Sequence, residues 1–191
     1  MSNPTPAPKP IRLLTVCSAN IARSPYLERR LQHDLDAAAP STFLVDSAGT
    51  HSFGPPRRMA SGTRERLARA GMSSENFRSA VISATHVRDV DLVITMTEQH
   101  RRDVLAEYPS VFDRIFTVGE MEIIAAQAPT GASARAKISA AQTMRPAIRG
   151  RHTLLDVDDP YGHGDAEFDA MARRLDAASA LITAWITSPT G

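Results

Sequence analysis

Four short apolar runs, Ile11 to Val16, Thr42 to Asp46, Asp91 to Thr95 and Arg114 to Val118, punctuate the chain with helical patterns between them. Each run is close to continuously apolar rather than alternating, the pattern of parallel strands covered on both faces. Leu27, Leu31 and Leu35 recur every fourth residue after the first run, and Leu67 with Ala70 anchors a second helix ending at Gly71. A third helix, short and arginine-rich, spans about Glu98 to Glu107. The last is the clearest, with Phe168, Met171, Leu175, Ala178, Ile182 and Trp185 on one stripe. Strands alternating with helices predict an open α/β sheet, and ligands bind such sheets beyond the carboxyl ends of the strands.

The end of the first strand carries the chemistry. Val16 to Pro25 reads V-C-S-A-N-I-A-R-S-P and holds the chain's single cysteine, with five residues between Cys17 and Arg23. A thiol closing a strand, a short loop and an arginine opening a helix form an arrangement suited to an oxyanion. The loop N–H groups of Ser18, Ala19, Asn20, Ile21 and Ala22 can turn inward, and the helix N-terminus adds partial positive charge. Such a field favours the thiolate form of a cysteine. Cys17 is therefore the candidate nucleophile, and Arg23 the planar fork for two phosphoryl oxygens. Ser24 can donate to the sulfur and is also read as the helix N-cap, with Pro25 at the first helical position. Asn20 is expected to take an unusual backbone conformation and to lock the loop through its amide. A lone intracellular cysteine is ordinarily inert core, and Ser-Pro an ordinary helix start. Strand end, spacing, arginine and helix start together point to chemistry instead.

Cleaving a phosphate ester also needs a proton for the leaving oxygen. Asp156-Val157-Asp158-Asp159-Pro160-Tyr161-Gly162 places carboxylates in a proline-stiffened loop, and the residue before proline is held extended, which presents Asp159. Tyr161 can stack on an aromatic substrate ring. Phe53, in the Gly/Pro-rich turn His51 to Pro56, can wall the pocket.

At 191 residues, with 42 % hydrophobic and 23 % charged residues, the chain fits one globular domain, expected over 11–188. A net charge of +1 argues against wholesale nucleic-acid or membrane-surface binding. One cysteine excludes an internal disulfide, and the histidines have no metal-ligand spacing, so neither metal nor cofactor is expected. No apolar stretch reaches membrane-span length and no hydrophobic signal core opens the chain, which reads as cytoplasmic. Residues 1–10, with prolines at 4, 6, 8 and 10, read as a disordered tail. From about 123 to 155 there is no acidic residue, while Arg135, Lys137, Arg145, Arg149 and Arg151 are basic. This stretch reads as a partly helical insertion. Its charges either cover a solvated face or flank the catalytic mouth and favour acidic partners.

These residues carry a resemblance. Cys17 to Pro25 resembles the C-x-G-N-x-C-R-S-P signature of low-molecular-weight protein tyrosine phosphatases. Val45-Asp46-Ser47-Ala48-Gly49-Thr50 looks like the family's second-strand motif, and Asp91-Leu92-Val93-Ile94-Thr95-Met96 like its third. Asp156 to Tyr161 is similar to the acid loop, which puts the general-acid role on Asp159. The long insertion and the Met96 to Asp103 stretch, with its paired arginines, look like an actinobacterial branch. The resemblance implies a four-stranded parallel sheet in order 2-1-3-4, with helices on both faces in three layers. It implies a metal-free, two-step hydrolysis through phosphocysteine, acting on phosphotyrosine in proteins, a bacterial tyrosine kinase among them.

The chain departs from the pattern in three places. Ala19 replaces the signature glycine, at a cost of about 1 kcal/mol if the position requires positive φ. Ala22 replaces a second loop cysteine, so the protective disulfide of many relatives cannot form. Phe53 stands where many bacterial members carry tryptophan, and Tyr161 is the one tyrosine left of the usual pair. Two other readings share the loop: an arsenate reductase coupled to a small thiol such as mycothiol, and a catalytically weak phosphopeptide-binding module. Tyr161 beside the acid loop favours an aromatic ester over the first. Retention of Cys17, Arg23 and Asp159 argues against the second.

Overall fold

β1 (Ile11–Cys17) lies at the centre of the sheet and pairs in parallel with both β2 (Phe43–Gly49) and β3 (Leu92–Thr95). β4 (Ile115–Thr117) adds to β3, so the order is β2-β1-β3-β4, as expected. The structure, a computed structural model, describes residues 9–127, 133–148 and 156–189. Between and after the strands come α1 (Arg23–Ala38), α2 (Ser61–Arg69), α3 (Ala84–Val87), α4 (Glu98–Glu107), α5 (Val118–Gln127), α6 (Ala134–Ala141), α7 (Arg145–Ile148) and α8 (Asp165–Thr187).

The strands feed two cores because neighbouring side chains point to opposite faces. Leu13, Leu92, Ile94 and Phe116 join the larger core with Leu27, Leu31 and Leu35 of α1. The α8 stripe, Phe168, Met171, Leu175, Ala178, Ile182 and Trp185, lies in that same core. Leu14, Val16, Val93 and Ile115 face the smaller core with Val104 of α4 and Val87. β1, β3 and β4 are covered on both faces, as their apolar runs require, whereas β2 at the sheet edge alternates, with Phe43 and Val45 buried and Leu44 and Asp46 exposed.

Strand ends shift by a residue at several places, and two boundaries differ from the sequence reading with consequences for the loop after β1. β2 continues to Gly49, three residues past the apolar run, because β1 pairs with it in unbroken register from Ile11–Phe43 to Cys17–Gly49. Its polar residues find partners: Asp46 meets Arg12 at 3.2 Å, and Ser47 accepts from Asn20 of the loop after β1. α1 begins at Arg23 with Ala22 at the N-cap position and no side-chain cap. Ser24 is therefore not the N-cap and Pro25 not the first helical residue; the Ser24 hydroxyl is committed to the loop instead.

Of the basic residues expected between 123 and 155, Arg149 and Arg151 lie outside the described residues. The other three do not flank the catalytic mouth. Arg135 pairs with Asp91 and donates to the carbonyls of Lys9 and Pro10 at 3.1 and 3.2 Å. Lys137 is buried, and its Nζ donates to the Trp185 and Ser188 carbonyls at 2.9 and 2.8 Å, closing the C-terminus of α8. Arg145 donates to the carbonyls of Phe112 and Ile115 and lies over the Phe116 ring at 4.4 Å. Arg135 and Arg145 sit where parallel strands begin, across the sheet from Cys17. Arg135 there joins Lys9, Arg12, Arg88 and Arg114 around a cleft of about 460 Å³. The tail expected over 1–10 lies outside the described residues up to residue 8.

Candidate active site

The loop from Cys17 to Ala22 connects β1 to α1, and its carbonyls are held from outside. Thr50 N–H donates to the Cys17 carbonyl at 2.9 Å, His51 N–H to that of Ser18 at 3.0 Å, and Ala60 N–H to that of Ile21 at 2.8 Å. Among the described residues none accepts from the N–H groups of Ser18, Ala19, Asn20, Ile21 or Ala22. These donors are what an anion at a helix N-terminus requires. Gly49 permits the close packing: a Cβ there would lie 2.6 Å from the Ser18 carbonyl oxygen and 3.1 Å from the Ala19 carbonyl carbon.

Asn20 takes φ +54° and is fully buried. Its Nδ2 donates to Ser24 Oγ at 3.1 Å and to Ser47 Oγ at 2.8 Å, while its Oδ1 accepts from Ala80 N–H at 2.9 Å. Ser47 Oγ donates onward to Glu28 Oε2 at 2.5 Å. Burial holds the Glu28 carboxyl above its ordinary value, opposed by that bond. Ser24 Oγ, already accepting from Asn20, lies 3.0 Å from Cys17 Sγ, so its hydrogen can point at the sulfur. Ala19 is not among the residues with positive φ; the left-handed turn falls on Asn20, so alanine carries no such strain.

Arg23 is buried and donates from Nη1 to the Val157 carbonyl at 3.0 Å and from Nη2 to Asp159 Oδ2 at 2.6 Å. Its Nε is buried with no partner among the described residues. The Val157 N–H donates to the Met96 carbonyl at 2.9 Å, which docks the acid loop against the end of β3. Asp159 Oδ1 accepts from Tyr161 N–H at 3.1 Å.

Cys17 is only 2 % exposed, yet it lines a cavity of about 280 Å³ together with Ser18, Ala19, Ile21, Ala22 and Arg23. Phe53, Arg57, Asp159 and Tyr161 complete the lining. Of the sequence-predicted residues, all but Asn20 and Ser24 line this one opening; those two are fully buried, and Asp158 is not among its walls. Phe53 and Tyr161 are 58 % and 52 % exposed, placing them at the rim rather than the floor.

Several contributors were not read from sequence. Arg57 lines the cavity and donates to the Tyr161 hydroxyl at 3.0 Å, steadying that ring; its signal was a cation directly after the Pro55-Pro56 turn. Ser47 and Glu28 lie on other elements and are joined to the loop only by pairing and packing. His100, buried on α4, sits 2.8 Å through Nε2 from Ser18 Oγ, and its Nδ1 lies 2.8 Å from Thr97 Oγ1. Burial first, and then the Arg23 charge, push the His100 pKa down to about 4. No spacing rule singles it out.

The chain is similar to known proteins of one kind. Residues 12–131 match the family model described as low molecular weight phosphotyrosine protein phosphatase. The low molecular weight protein-tyrosine-phosphatase Etp of Escherichia coli K12 is 32 % identical over 109 residues, covering 56 % of this chain and 69 % of Etp. EpsP of Ralstonia solanacearum, a probable enzyme of the same kind, is 29 % identical over 110 residues, covering 58 % and 72 % of the two chains. The crystal structure of a low molecular weight protein tyrosine phosphatase from T. tengcongensis superposes with a TM-score of 0.68 at 23 % identity, over 90 % of this chain and 97 % of that one. With more than half its length matched by that family model, the chain belongs to the low molecular weight phosphotyrosine protein phosphatase family.

Proposed function

We propose that the protein hydrolyses phosphotyrosine in proteins, with Cys17 as nucleophile, Arg23 as phosphoryl clamp and Asp159 as general acid. One observation carries this reading: Cys17 and Asp159 line one cavity, and Arg23 bridges to Asp159 at 2.6 Å. The sulfur attacks phosphorus, the P–O bond to the phenolic oxygen breaks, and Asp159 gives that oxygen its proton. Water then attacks the cysteinyl-phosphate, with Asp159 taking up a proton, and phosphate leaves as the thiolate is restored.

The N–H groups of Ser18, Ala19, Asn20, Ile21 and Ala22 serve the equatorial oxygens, and Ser24 stabilises the departing sulfur. The Arg23–Asp159 pair has a consequence for the first step. A phosphoryl group must take over the guanidinium edge that Asp159 now occupies, which frees the carboxyl group to reach the leaving oxygen. Apolar Ile21 and the Phe53 and Tyr161 rings suit an aromatic leaving group. A phosphorylated bacterial tyrosine kinase is the first protein substrate to offer. No helix among the described residues is long and apolar enough to cross a membrane, and the proposed setting is cytoplasmic. Neither the thiol-coupled reduction of arsenate nor pure phosphopeptide binding gains support from the family match.

Single-site variants assayed with an aryl phosphate and a phosphotyrosyl peptide test the roles. Cys17→Ser should abolish turnover yet retain binding of inorganic phosphate. Asp159→Asn should lower kcat by about 100-fold, whereas Asp158→Asn should stay near the parent. A reversed order for the two aspartates would transfer the acid role to Asp158.

A further inference from the structure

His100 is the one buried histidine among the described residues, and both of its ring nitrogens are engaged by hydroxyl groups. Thr97 Oγ1 accepts the His100 backbone N–H at 3.2 Å as the N-cap of α4. That oxygen is already an acceptor, so its own hydrogen is best placed on Nδ1, 2.8 Å away. Nε2 then carries the ring proton and donates to Ser18 Oγ, leaving the Ser18 hydroxyl hydrogen to turn toward the cavity that Ser18 lines.

We propose that His100 is a positioning residue for phosphoryl transfer: a neutral, Nε2-protonated imidazole, anchored by Thr97, that holds Ser18 and with it the first turn of the anion-binding loop. The inference rests on the phosphatase reading. A second proton on the ring would force both nitrogens to donate, and Thr97 would have to turn its hydrogen away. The groups facing the ring are mixed. Arg23 from α1 and His51 from the loop after β2 oppose protonation, and Asp159 of the acid loop and Asp103 of α4 favour it. Burial decides the balance toward the neutral form, with the pKa held at about 4. The loop's positive field therefore stays with the N–H groups and Arg23, while the imidazole contributes geometry.

Four proteins test this: His100→Ala, His100→Gln, Ser18→Ala and the His100→Ala/Ser18→Ala pair. His100→Ala should lower kcat/KM for an aryl phosphate about three- to tenfold, the worth of one hydrogen bond. Its affinity for inorganic phosphate, measured by titration calorimetry, should weaken by a comparable factor. Gln, whose amide nitrogen can reach Ser18 Oγ, should recover most of the loss. In a Ser18→Ala background the His100 substitution should cost little more. Nitrogen-15 spectra of the parent should report the Nε2–H tautomer from pH 7 to 5. Additive losses, an unaltered His100→Ala protein, or an Nδ1–H tautomer would each overturn the proposal. Should His100→Ala not fold, the Gln variant, Ser18→Ala and the spectra decide it. The phosphate titration and the spectra need no turnover, so an inactive parent would refute the phosphatase reading without deciding this one.

Discussion

A missing methyl group is the residue-scale feature with the widest reach. Gly49 ends β2 directly against the loop backbone, and a Cβ would meet the Ser18 carbonyl oxygen at 2.6 Å and the Asn20 nitrogen at 3.2 Å. Backbone atoms cannot swing aside as a flexible side chain can. Gly49→Ala should therefore cost about 1–3 kcal/mol of stability and lower kcat/KM, read by denaturant melts and an aryl phosphate assay; a variant equal to the parent in both would contradict this. The buried His100 ring also sets an acid-side limit. Its pKa is about 4 in the folded protein against an ordinary 6.5, so below pH 6.5 the unfolded chain takes up a proton that the native state refuses. The contribution is complete above pH 6.5 and is lost as pH falls toward 4, by about 3 kcal/mol in all. Urea melts across pH 7 to 4 should show this slope in the parent and lack that share of it in His100→Gln.

At the scale of elements, most of the architecture was legible before any coordinates. The apolar runs located all four strands, and the spacing of Leu27, Leu31 and Leu35 and of Phe168 to Trp185 located α1 and α8. Misses arose where tertiary pairing outweighed local preference. Ser47, Ala48 and Gly49 continue β2 because β1 supplies a partner at each step, and the Ser24 hydroxyl turns from the helix cap to the Cys17 sulfur. The basic stretch after α5 shows the same effect in its charges. Lys137 reads as a surface cation, yet its Nζ closes α8 through Trp185 and Ser188. Lys137→Met should retain the alkyl packing but strand those carbonyls, lowering stability by about 1–3 kcal/mol. Because the site lies elsewhere in the fold, kcat for an aryl phosphate should hold within twofold; a parent-like melting curve would return Lys137 to the surface.

At the scale of the whole molecule, one cysteine serves the entire chain, and Ala22 occupies the neighbouring loop position that could have shielded it. Oxidation of Cys17 has no intramolecular thiol to arrest it at the disulfide stage, so sulfenic acid proceeds to higher acids. Protein treated with stoichiometric peroxide, freed of small thiols, should lose activity that later dithiothreitol does not return, with oxygen additions on Cys17 by mass spectrometry. Full recovery would show that another reversible cap forms.

Local order and the candidates for the reacting groups were written along the chain, because they depend on near neighbours. Apolar spacing made the strands and helices, and the Cys17 to Pro25 segment carried the proposed nucleophile, the proposed clamp and the helix start within ten residues. Distance in sequence hid the remainder. Ser47 and Glu28 support Asn20 from β2 and α1, His100 reaches Ser18 from α4, and Arg57 steadies Tyr161 across 104 positions. Hydrogen bonds and close packing act over a few ångströms of space, and only the folded sheet brings those side chains within that range.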